Sequence, residues 1–358
     1  MYRKKHTITG TADGAQTDYQ MGIFCYKGAG TDGTVVKGNT TFGLIYCNSH
    51  CQDDFGDIRI TKSDGTTPLD YWIEYSSSGS YAIIWVEVDA IPDNPDTVDI
   101  YIYYGTSESS STTSSMGNTW IDSFDWDSDL TGDFTLYQPA GGAAGYEYDY
   151  LAATDAELPC RAIAKRAITD EWTTDTYGIY TNIFLNKDGD DIRDSTQVTA
   201  SRWSDDTGVS ADATHIGSRF QVKRGVGAFE DDAVAFSLDE WLIDEILVVA
   251  STSSKGDIFT EGRGTLRSQQ SIADGPDSLN YWGYGYGSSS DVVNKVWSYE
   301  SENDVIVFGC GQTGLHPGQH YEKDAWMVIG KFTTNEPVHT SWGDEESEDS
   351  EDEDGSDF

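Results

Sequence analysis

The sequence predicts an all-β protein with two β-sandwich domains, the second larger than the first. Short runs rich in Val, Ile, Tyr and Trp alternate with polar residues, and clusters of Gly, Asp, Ser and Pro separate these runs. Helical periodicity is nearly absent. The 358 residues exceed the usual size of one domain, and 37% of them are hydrophobic, which is enough for two buried cores.

The first domain is predicted to span residues 1–108. Its central stretch, Asp54–Glu74, reads as two strands joined by a turn at Ser63-Asp64-Gly65, and two further strands follow closely. Pro92 and Pro95 separate these last two strands, because proline cannot continue a ladder. We therefore expect a β-meander with one buried face. The predicted strands are Arg3–Thr9, Tyr19–Tyr26, Thr41–Cys47, Ile58–Thr61, Asp70–Glu74, Ala82–Val88 and Val98–Tyr104.

A polar linker is predicted at 109–119, within a low-complexity run of Ser and Thr. The second domain is predicted at 120–341, and its many strands without helical crossovers suit a large jelly roll. One segment, Leu238–Leu247, could instead begin a short helix at its Asp-Glu opening. An acidic tail completes the chain at 342–358. The predicted strands are Thr173–Leu185, Gln197–Trp203, His215–Lys223, Trp241–Ala250, Gly256–Gln269, Asn280–Tyr286, Asn294–Ser298, Val305–Cys310 and Ala325–Phe332.

Four segments between Asp54 and Gly105 carry a family resemblance. They are D-F-G-D-I-R-I, S-D-G-T-T-P-L-D-Y-W-I-E, I-W-V-E-V and I-Y-I-Y-Y-G, in this order. They resemble an uncharacterised domain family of archaeal and bacterial surface proteins and some viruses, in which a concanavalin A-like (laminin-G-like) sandwich commonly follows. Both chain ends, Tyr2–Lys5 and Gly330–Val338, fit that pairing. The resemblance implies a concanavalin A-like jelly roll for the second domain and no particular activity.

The chain is strongly acidic, with 62 Asp and Glu against 22 Lys and Arg and a net charge of −40. Only ten of the acidic residues lie in the tail Asp344–Phe358, so the excess belongs mainly to the folded body. Like charges at this density repel one another, and salt screens that repulsion. We interpret the composition as adaptation to high salt in a haloarchaeal setting, the alternative being an ordinary acidic secreted protein. Nucleic-acid binding is disfavoured because phosphates would be repelled.

The N-terminus shows no recognisable secretory signal, since Met1–His6 runs directly into the strand-like Thr7–Thr9. No run of eighteen apolar residues is present, so no membrane insertion is expected. A domain typical of surface proteins, in a chain without a signal peptide, is expected in a virion protein. Such a protein assembles inside the host and reaches the outside when the virus is released. The alternatives are a processed secreted protein, a trimmed chain and a cellular surface protein.

The five cysteines allow several states. Cys47 and Cys51 flank Asn48-Ser49-His50, and Cys25 lies on an earlier predicted strand. A zinc site would require a fourth ligand that cannot be assigned, so a Cys47–Cys51 disulfide, or one from either to Cys25, is favoured. Free thiols are the alternative. Cys160 and Cys310 could pair in the second domain.

No catalytic residues are predicted. Hydrolases of the concanavalin-like class present carboxylates on one strand as E-x-D-x-x-E or E-x-D-x-E. In Asp239–Glu245, the nearest segment, Leu242 stands where the central acid is required. The chain also lacks G-x-S-x-G, H-E-x-x-H and Walker sequences. His316 and His320 lie in a proline-broken loop, which favours loop hydrogen bonding over zinc binding. We therefore expect a protein without enzymatic activity.

A calcium site is a candidate at Asp125, Asp127, Asp129 and Asp133, where carboxylates recur at close spacing. Calcium requires several oxygen ligands, which one short loop can supply. The segment lacks the glycine at position six and the glutamate at position twelve of an EF-hand. An acidic connector between domains is the alternative, and no other cofactor is expected.

A ligand site is predicted at N-Y-W-G-Y-G-Y-G, residues 280–287. In an extended strand, Trp282, Tyr284 and Tyr286 share one face, and Asn280 adds an amide beside them. Such rings can stack on sugars while their polar atoms bind hydroxyl groups. The alternative is that the same rings fill the core between two sheets.

These observations together favour a spike, fibre or decoration component of a salt-adapted archaeal virus, located on the virion surface. The expected partners are other virion subunits, including copies of the same chain in a homo-oligomer, and a host cell-surface glycan or glycoprotein. A purely structural capsid or tail component and a cellular surface adhesin are the alternatives.

Overall fold

The computed structural model describes residues 1–37, 40–106, 114–125 and 322–347, and between 126 and 321 the strands given below. The chain divides into two units. The first combines Met1–Trp120 with Thr333–Phe358, and the second is Ile121–Phe332. Strands dominate the described residues of both units, which makes the protein all-β as predicted.

The strands that precede the helix are β1 (Tyr2–Thr9), β2 (Gln16–Tyr26), β3 (Gly33–Lys37), β4 (Thr40–Tyr46), β5 (Arg59–Lys62), β6 (Tyr71–Ser77), β7 (Tyr81–Ile91) and β8 (Thr97–Tyr104). The helix α1 (Met116–Thr119) follows. The strands of the second unit are β9 (Asp122–Asp125), β10 (Phe134–Tyr137), β11 (Tyr148–Ala153), β12 (Cys160–Ile168), β13 (Ile179–Lys187), β14 (Val198–Thr199), β15 (Arg202–Ser204), β16 (His215–Arg219), β17 (Val234–Ser237), β18 (Leu242–Val248), β19 (Asp257–Ile258), β20 (Gly262–Ser268), β21 (Tyr281–Gly285), β22 (Trp297–Ser298), β23 (Asp304–Gln312) and β24 (Glu322–Lys331). The last strands described are β25 (Val338–Trp342) and β26 (Glu346–Ser347).

The first unit is a sandwich of two five-stranded sheets. The first sheet has the order β25-β1-β8-β5, with β26 also paired to β1, and the second has the order β3-β4-β2-β7-β6. Alternate residues of β1 are buried, as the pleat of a strand with one inward face requires. The core between the sheets includes Ile8, Ile60, Ile100 and Ile102 from the first sheet and Tyr19, Met21, Ile23, Ile84, Val86 and Val88 from the second. Burial of each such side chain contributes about 1.5–3 kcal/mol.

The second sheet also buries aromatic side chains on its other face. The rings of Phe24 and Phe42 lie 4.9 Å apart, and the Trp85 ring lies 5.4 Å from Phe42 and 5.1 Å from Trp120. Gly22 is required beside them, because a Cβ there would lie 2.5 Å from the Phe42 ring. This second apolar face explains why β2 and β7 are buried along most of their length.

The predicted meander is wrong, because its four strands are divided between the two sheets. The turn at Ser63–Gly65 is present, and the backbone N–H of Lys62 donates to the carbonyl of Thr67 across it. After Pro68, however, the chain crosses to the second sheet, where β6 pairs with β7. In the first sheet, β5 pairs with β8. Periodicity identified each strand, but sheet membership depends on distant partners.

The second unit contains a six-stranded sheet of order β21-β20-β18-β12-β24-β9 and a five-stranded sheet of order β10-β11-β23-β13-β14. Smaller groups, β15-β16-β17 and β19-β22, complete its described strands. The segment that could have been helical contains β18 instead. The concanavalin-like arrangement of this unit remains a prediction.

The C-terminal segment returns to the first unit, whereas we predicted that the second domain would run to residue 341 and an acidic tail from 342. β25 pairs with β1, placing Trp342 opposite His6 and Val338 opposite Thr9. The end of the predicted linker is also packed, since the N–H of Ser115 donates to the carbonyl of Tyr71. In the part of the chain described, no helix is long and apolar enough to cross a membrane.

Candidate functional site

The predicted aromatic strand is present as β21, the outermost described strand of the six-stranded sheet. Trp282 pairs with Leu266 of β20, and Tyr284 pairs with Gly264. The two aromatic residues therefore occupy alternate positions of one strand, which is the spacing of residues that share a face. Asn280 and Tyr286, the other members of the predicted ligand site, lie outside the described residues.

The candidate calcium ligands are described only at Asp125, the last residue of β9, which pairs with Trp326 of β24. Asp127, Asp129 and Asp133 lie outside the described residues. Within the described part of the chain, no group of three or more His, Cys, Asp or Glu side chains is arranged to hold a metal ion. The calcium site remains a prediction.

The D-F-G-D segment forms a loop that Asp57 anchors. The buried Asp57 carboxylate accepts hydrogen bonds from the N–H of Gln52 (3.0 Å) and of Gly105 (2.6 Å). Phe55 is fully buried with a φ of 60°, and Asp54 Oδ1 accepts from the N–H of Gly56 (3.0 Å). The bond from Gly105 joins the first of the four family segments to the last. These residues thus stabilise the scaffold.

The second family segment is also satisfied internally. The buried Tyr71 hydroxyl donates to the carbonyl of Ile58 (2.7 Å), and Trp85 Nε1 donates to Glu74 Oε2 (2.8 Å). Polar groups engaged in this way are not free to bind a ligand. The hydrogen bonds made by these residues of the family segments therefore stabilise the sandwich and its turns.

A stack on the outer face of the first sheet was not identified by sequence reasoning. The Arg3 guanidinium lies 4.9 Å from the Tyr101 ring centroid and 5.9 Å from that of Tyr103, within the range of cation–π contact. Arg3 also donates to the Tyr103 hydroxyl (3.2 Å) and to Glu346 Oε2 (2.7 Å). These contacts attach β26 to β1 and β8. The alternating tyrosines were visible in the sequence, but the opposing arginine depends on strand register.

Two buried histidines join the ends of the chain. His6 Nδ1 lies 3.0 Å from the carbonyl of Ser341, so Nδ1–H donates there and Nε2 accepts from His339 Nδ1–H at 2.7 Å. Trp342 stacks on His6 at 3.8 Å, and its Nε1 donates to the carbonyl of Gly33 (2.9 Å). Burial lowers the pKa of His6 to about 4 and the pKa of His339 well below its usual value. Both rings are neutral at pH 7.

Glu345 lies at the start of the predicted acidic tail and is part of the fold. Its Oε2 accepts from the Tyr104 hydroxyl (2.7 Å) and from Asn48 Nδ2 (3.1 Å), and its Oε1 lies 3.0 Å from His50 Nδ1. The His50 ring stacks on Tyr2 at 3.8 Å. Burial and the bond to Glu345 raise the pKa of Tyr104. Residues 348–358, the rest of the predicted tail, lie outside the described residues.

The cysteines of the first unit are free thiols in the structure, whereas we predicted a disulfide among them. Cys25, Cys47 and Cys51 nevertheless lie together in the core, with the Sγ atoms of Cys25 and Cys47 3.3 Å apart. Cys160 is also a buried free thiol. The spacing in the sequence indicated the cluster but could not fix its bonding state.

Comparison with known proteins supports part of the expected resemblance. Residues 54–135 match DUF2341, a domain of unknown function. This range begins at the Asp54 loop and includes the segment that ends at Gly105. No curated protein matches the chain. One similar solved structure is the legume lectin-like domain from Entamoeba histolytica, with 9% identity, 56% of this chain and 85% of that chain covered, and a TM-score of 0.27. A TM-score of this size does not establish a shared fold.

Proposed function

We propose that this chain is a non-enzymatic virion surface protein of a salt-adapted archaeal virus and that its second unit binds a host surface glycan or glycoprotein. The observation that carries the proposal is that Trp282 and Tyr284 occupy alternate positions of β21, which lies at the edge of its sheet among the described strands. An edge strand has a neighbour on one side only, so a ligand can approach it more freely than a central strand.

Sugar recognition by such a strand depends on ring faces and polar rims. Alternate positions of a strand share one face and lie about 6.6–6.8 Å apart. Trp282 and Tyr284 occupy two such positions. Their rings stack on the apolar face of a sugar while hydroxyl and indole N–H groups bind its oxygens. Calcium held by Asp125, Asp127, Asp129 and Asp133 would order the acidic segment after β9.

In this proposal the first unit attaches the second, ligand-binding unit to the virion. Several buried polar groups of its family segments are engaged in internal hydrogen bonds, and its described surface exposes few large apolar side chains, namely Met1, Val36 and Val338. Because single sugar contacts are weak, display of several copies in a homo-oligomer would raise the overall affinity through effective concentration.

A structural capsid or tail component is the second candidate. The observation that favours it is again the edge position of β21, since unpaired backbone groups on an edge strand can pair with a strand of another chain. In that case Trp282 and Tyr284 would be buried between subunits.

The decisive experiment compares wild type with a Trp282→Ala, Tyr284→Ala double variant, with Tyr281→Ala as the matched control. Tyr281 belongs to the same strand but to the opposite face by register. Binding to haloarchaeal cells and to a glycan array is measured in molar KCl. We expect saturable binding that falls at least about tenfold in the double variant and is retained in the control, because each stacked ring contributes on the order of 1 kcal/mol.

Two results would contradict the glycan-binding proposal. Equal binding by wild type and double variant would remove β21 from the site. Absence of binding, together with assembly of the wild type into oligomers that the double variant cannot form, would favour the structural component.

A further inference from the structure

Three buried thiols form a cluster near one end of the first sandwich, and the proposed function does not use them. Cys25 is the penultimate residue of β2, Cys47 directly follows β4, and Cys51 ends the next turn. All three belong to the core between the sheets. Cys47 is the central member, because it is hydrogen-bonded to both Cys25 and Cys51.

We propose that Cys25 and Cys47 form a disulfide in the mature protein and that Cys51 stays a free thiol beside it. The Sγ atoms of Cys25 and Cys47 are 3.3 Å apart. A disulfide has an S–S distance of about 2.05 Å, so the two atoms must approach by roughly 1.3 Å. In this proposal the two side chains close that distance at the ends of β2 and β4.

The strands already hold these two residues in place. β2 and β4 are parallel neighbours, with Cys25 opposite Ile45 and Tyr26 opposite Tyr46. The N–H of Cys47 donates to the carbonyl of Tyr26 (2.8 Å), which continues this pairing to Cys47 itself. The bridge would therefore join two adjacent strands at their ends.

Because of their closeness in sequence, Cys47 and Cys51 are the less favourable pair for a stabilising disulfide. Their turn is already closed by the backbone, since the N–H of His50 donates to the carbonyl of Cys47 (2.8 Å). A bridge across three intervening residues restricts the unfolded chain much less than one between residues 22 apart in sequence. The Cys25–Cys47 bridge thus stabilises the fold more.

The oxidant is a small-molecule disulfide, such as oxidised glutathione. The thiolate of one cysteine attacks a sulfur of the oxidant, which gives a mixed disulfide and releases one small thiolate. The thiolate of the other cysteine then attacks the protein sulfur of that mixed disulfide and releases the second. Two protein thiols are oxidised, one small disulfide is reduced, and the two protons of the protein thiols pass to the two released thiolates.

The thiol–disulfide exchange takes place during folding, before the native structure is complete. In the folded protein, hydrogen bonding to Cys25 and burial raise the pKa of Cys47 well above its usual value, so the attacking thiolate is scarce. Burial also excludes the small oxidant. The bridge therefore forms before the two sheets close over the thiols.

The test is disulfide mapping of full-length protein refolded from urea with oxidised and reduced glutathione. Remaining thiols are blocked by alkylation during unfolding, and trypsin then separates Cys25 from Cys47 by cutting after Lys27 and Lys37. We expect a cross-linked pair of peptides, found without reductant and lost with it. Fragmentation of this pair identifies the bonded cysteines in wild type, even where a variant does not fold.

Three variants sharpen the assignment. The cross-link should persist in Cys51→Ala and in Cys160→Ala, the control for loss of a buried thiol elsewhere, and should disappear in Cys47→Ala. The proposal is overturned by full alkylation of Cys25, Cys47 and Cys51, by a Cys47–Cys51 bridge within one peptide, or by loss of the cross-link in Cys51→Ala. Stoichiometric zinc or copper in the purified protein would also overturn it.

Discussion

At the scale of single residues, the first unit is stabilised by a few buried polar groups. Asp57 accepts two backbone N–H groups from separate segments, which makes it the link between the Asp54 loop and the end of β8. A charged acceptor in a buried site strengthens such bonds, and its loss leaves the donors unpaired. Stability at this position depends on the carboxylate itself.

Replacement of Asp57 by Asn is expected to lower the free energy of unfolding of the first unit by about 2–3 kcal/mol. One of the two N–H donors would then face an amide NH₂ group. Asp54→Asn is the matched control, because Asp54 is exposed and accepts a single local bond. Urea unfolding, followed by amide hydrogen exchange of β8, measures the change. Equal stability of the two variants would show that Asp57 has no special role.

The histidine pair predicts a loss of stability in acid. Because the folded-state pKa values of His6 and His339 lie below that of a free histidine, the unfolded state binds protons first as the pH falls below about 6.5. The stability that the neutral pair contributes is complete above that pH and is lost progressively down to about pH 4. At pH 5 the loss from His6 alone is about 2 kcal/mol.

The measurement compares urea unfolding of wild type and a His6→Gln, His339→Gln variant between pH 7.5 and 5. Asp99 lies near His6, and Glu87 titrates in the same range because burial raises its pKa to about 7. The contribution of Glu87 cancels in the difference between the two proteins, because Glu87 does not act on either histidine. The stability of wild type should fall more steeply with decreasing pH. Parallel profiles would contradict the assignment of acid sensitivity to the pair.

At the scale of elements, the C-terminal strand β25 completes the first sheet from the far end of the chain. Its hydrogen bonds to β1 are supported by Trp342, which packs on His6 and on the core. The segment is short, polar and next to an acidic run, and the sequence analysis divided it between the end of the second domain and the start of the tail. The segment forms a strand because its backbone pairs with β1.

Trp342→Ala is expected to destabilise the first unit by about 2–3 kcal/mol, since a partly buried aromatic ring and the bond to Gly33 are removed. Val338→Ala in the same strand is the control. Val338 is 51% exposed, and its truncation should change stability by less than about 0.5 kcal/mol. Thermal unfolding and hydrogen exchange of β1 give the readout. A similar effect of both substitutions would mean that β25 contributes little beyond backbone pairing.

Elements identified by sequence were those with strong periodicity. All seven strands predicted in the first domain exist, with shifted ends. β12 was missed although it lies between β18 and β24 in the six-stranded sheet, because its sequence, C-R-A-I-A-K-R-A-I, is rich in Ala, Lys and Arg. Such residues have low strand propensity, and only the neighbouring strands make the position favourable.

At the scale of the whole molecule, the net charge of −40 predicts that repulsion between carboxylates lowers stability at low ionic strength. We expect the melting temperature to rise markedly as KCl is increased from low to molar concentration, because screening weakens the repulsion between carboxylates. Sucrose at matched water activity is the control for preferential exclusion, which acts without screening. A melting temperature that is flat in KCl would remove the basis for salt adaptation.

The sequence by itself determined the all-β class, seven of the eight strands within residues 1–108 and the acidic character, because side-chain alternation and composition are local properties. It also indicated the cysteine cluster and the aromatic strand β21. The tertiary structure alone decided which strands share a sheet, that residues after Thr333 belong with the N-terminus, and that Asp57 and the His6–His339 pair hold distant segments together. These features depend on contacts between residues far apart in the chain, and no local pattern encodes which distant segment a strand or a buried polar group will meet.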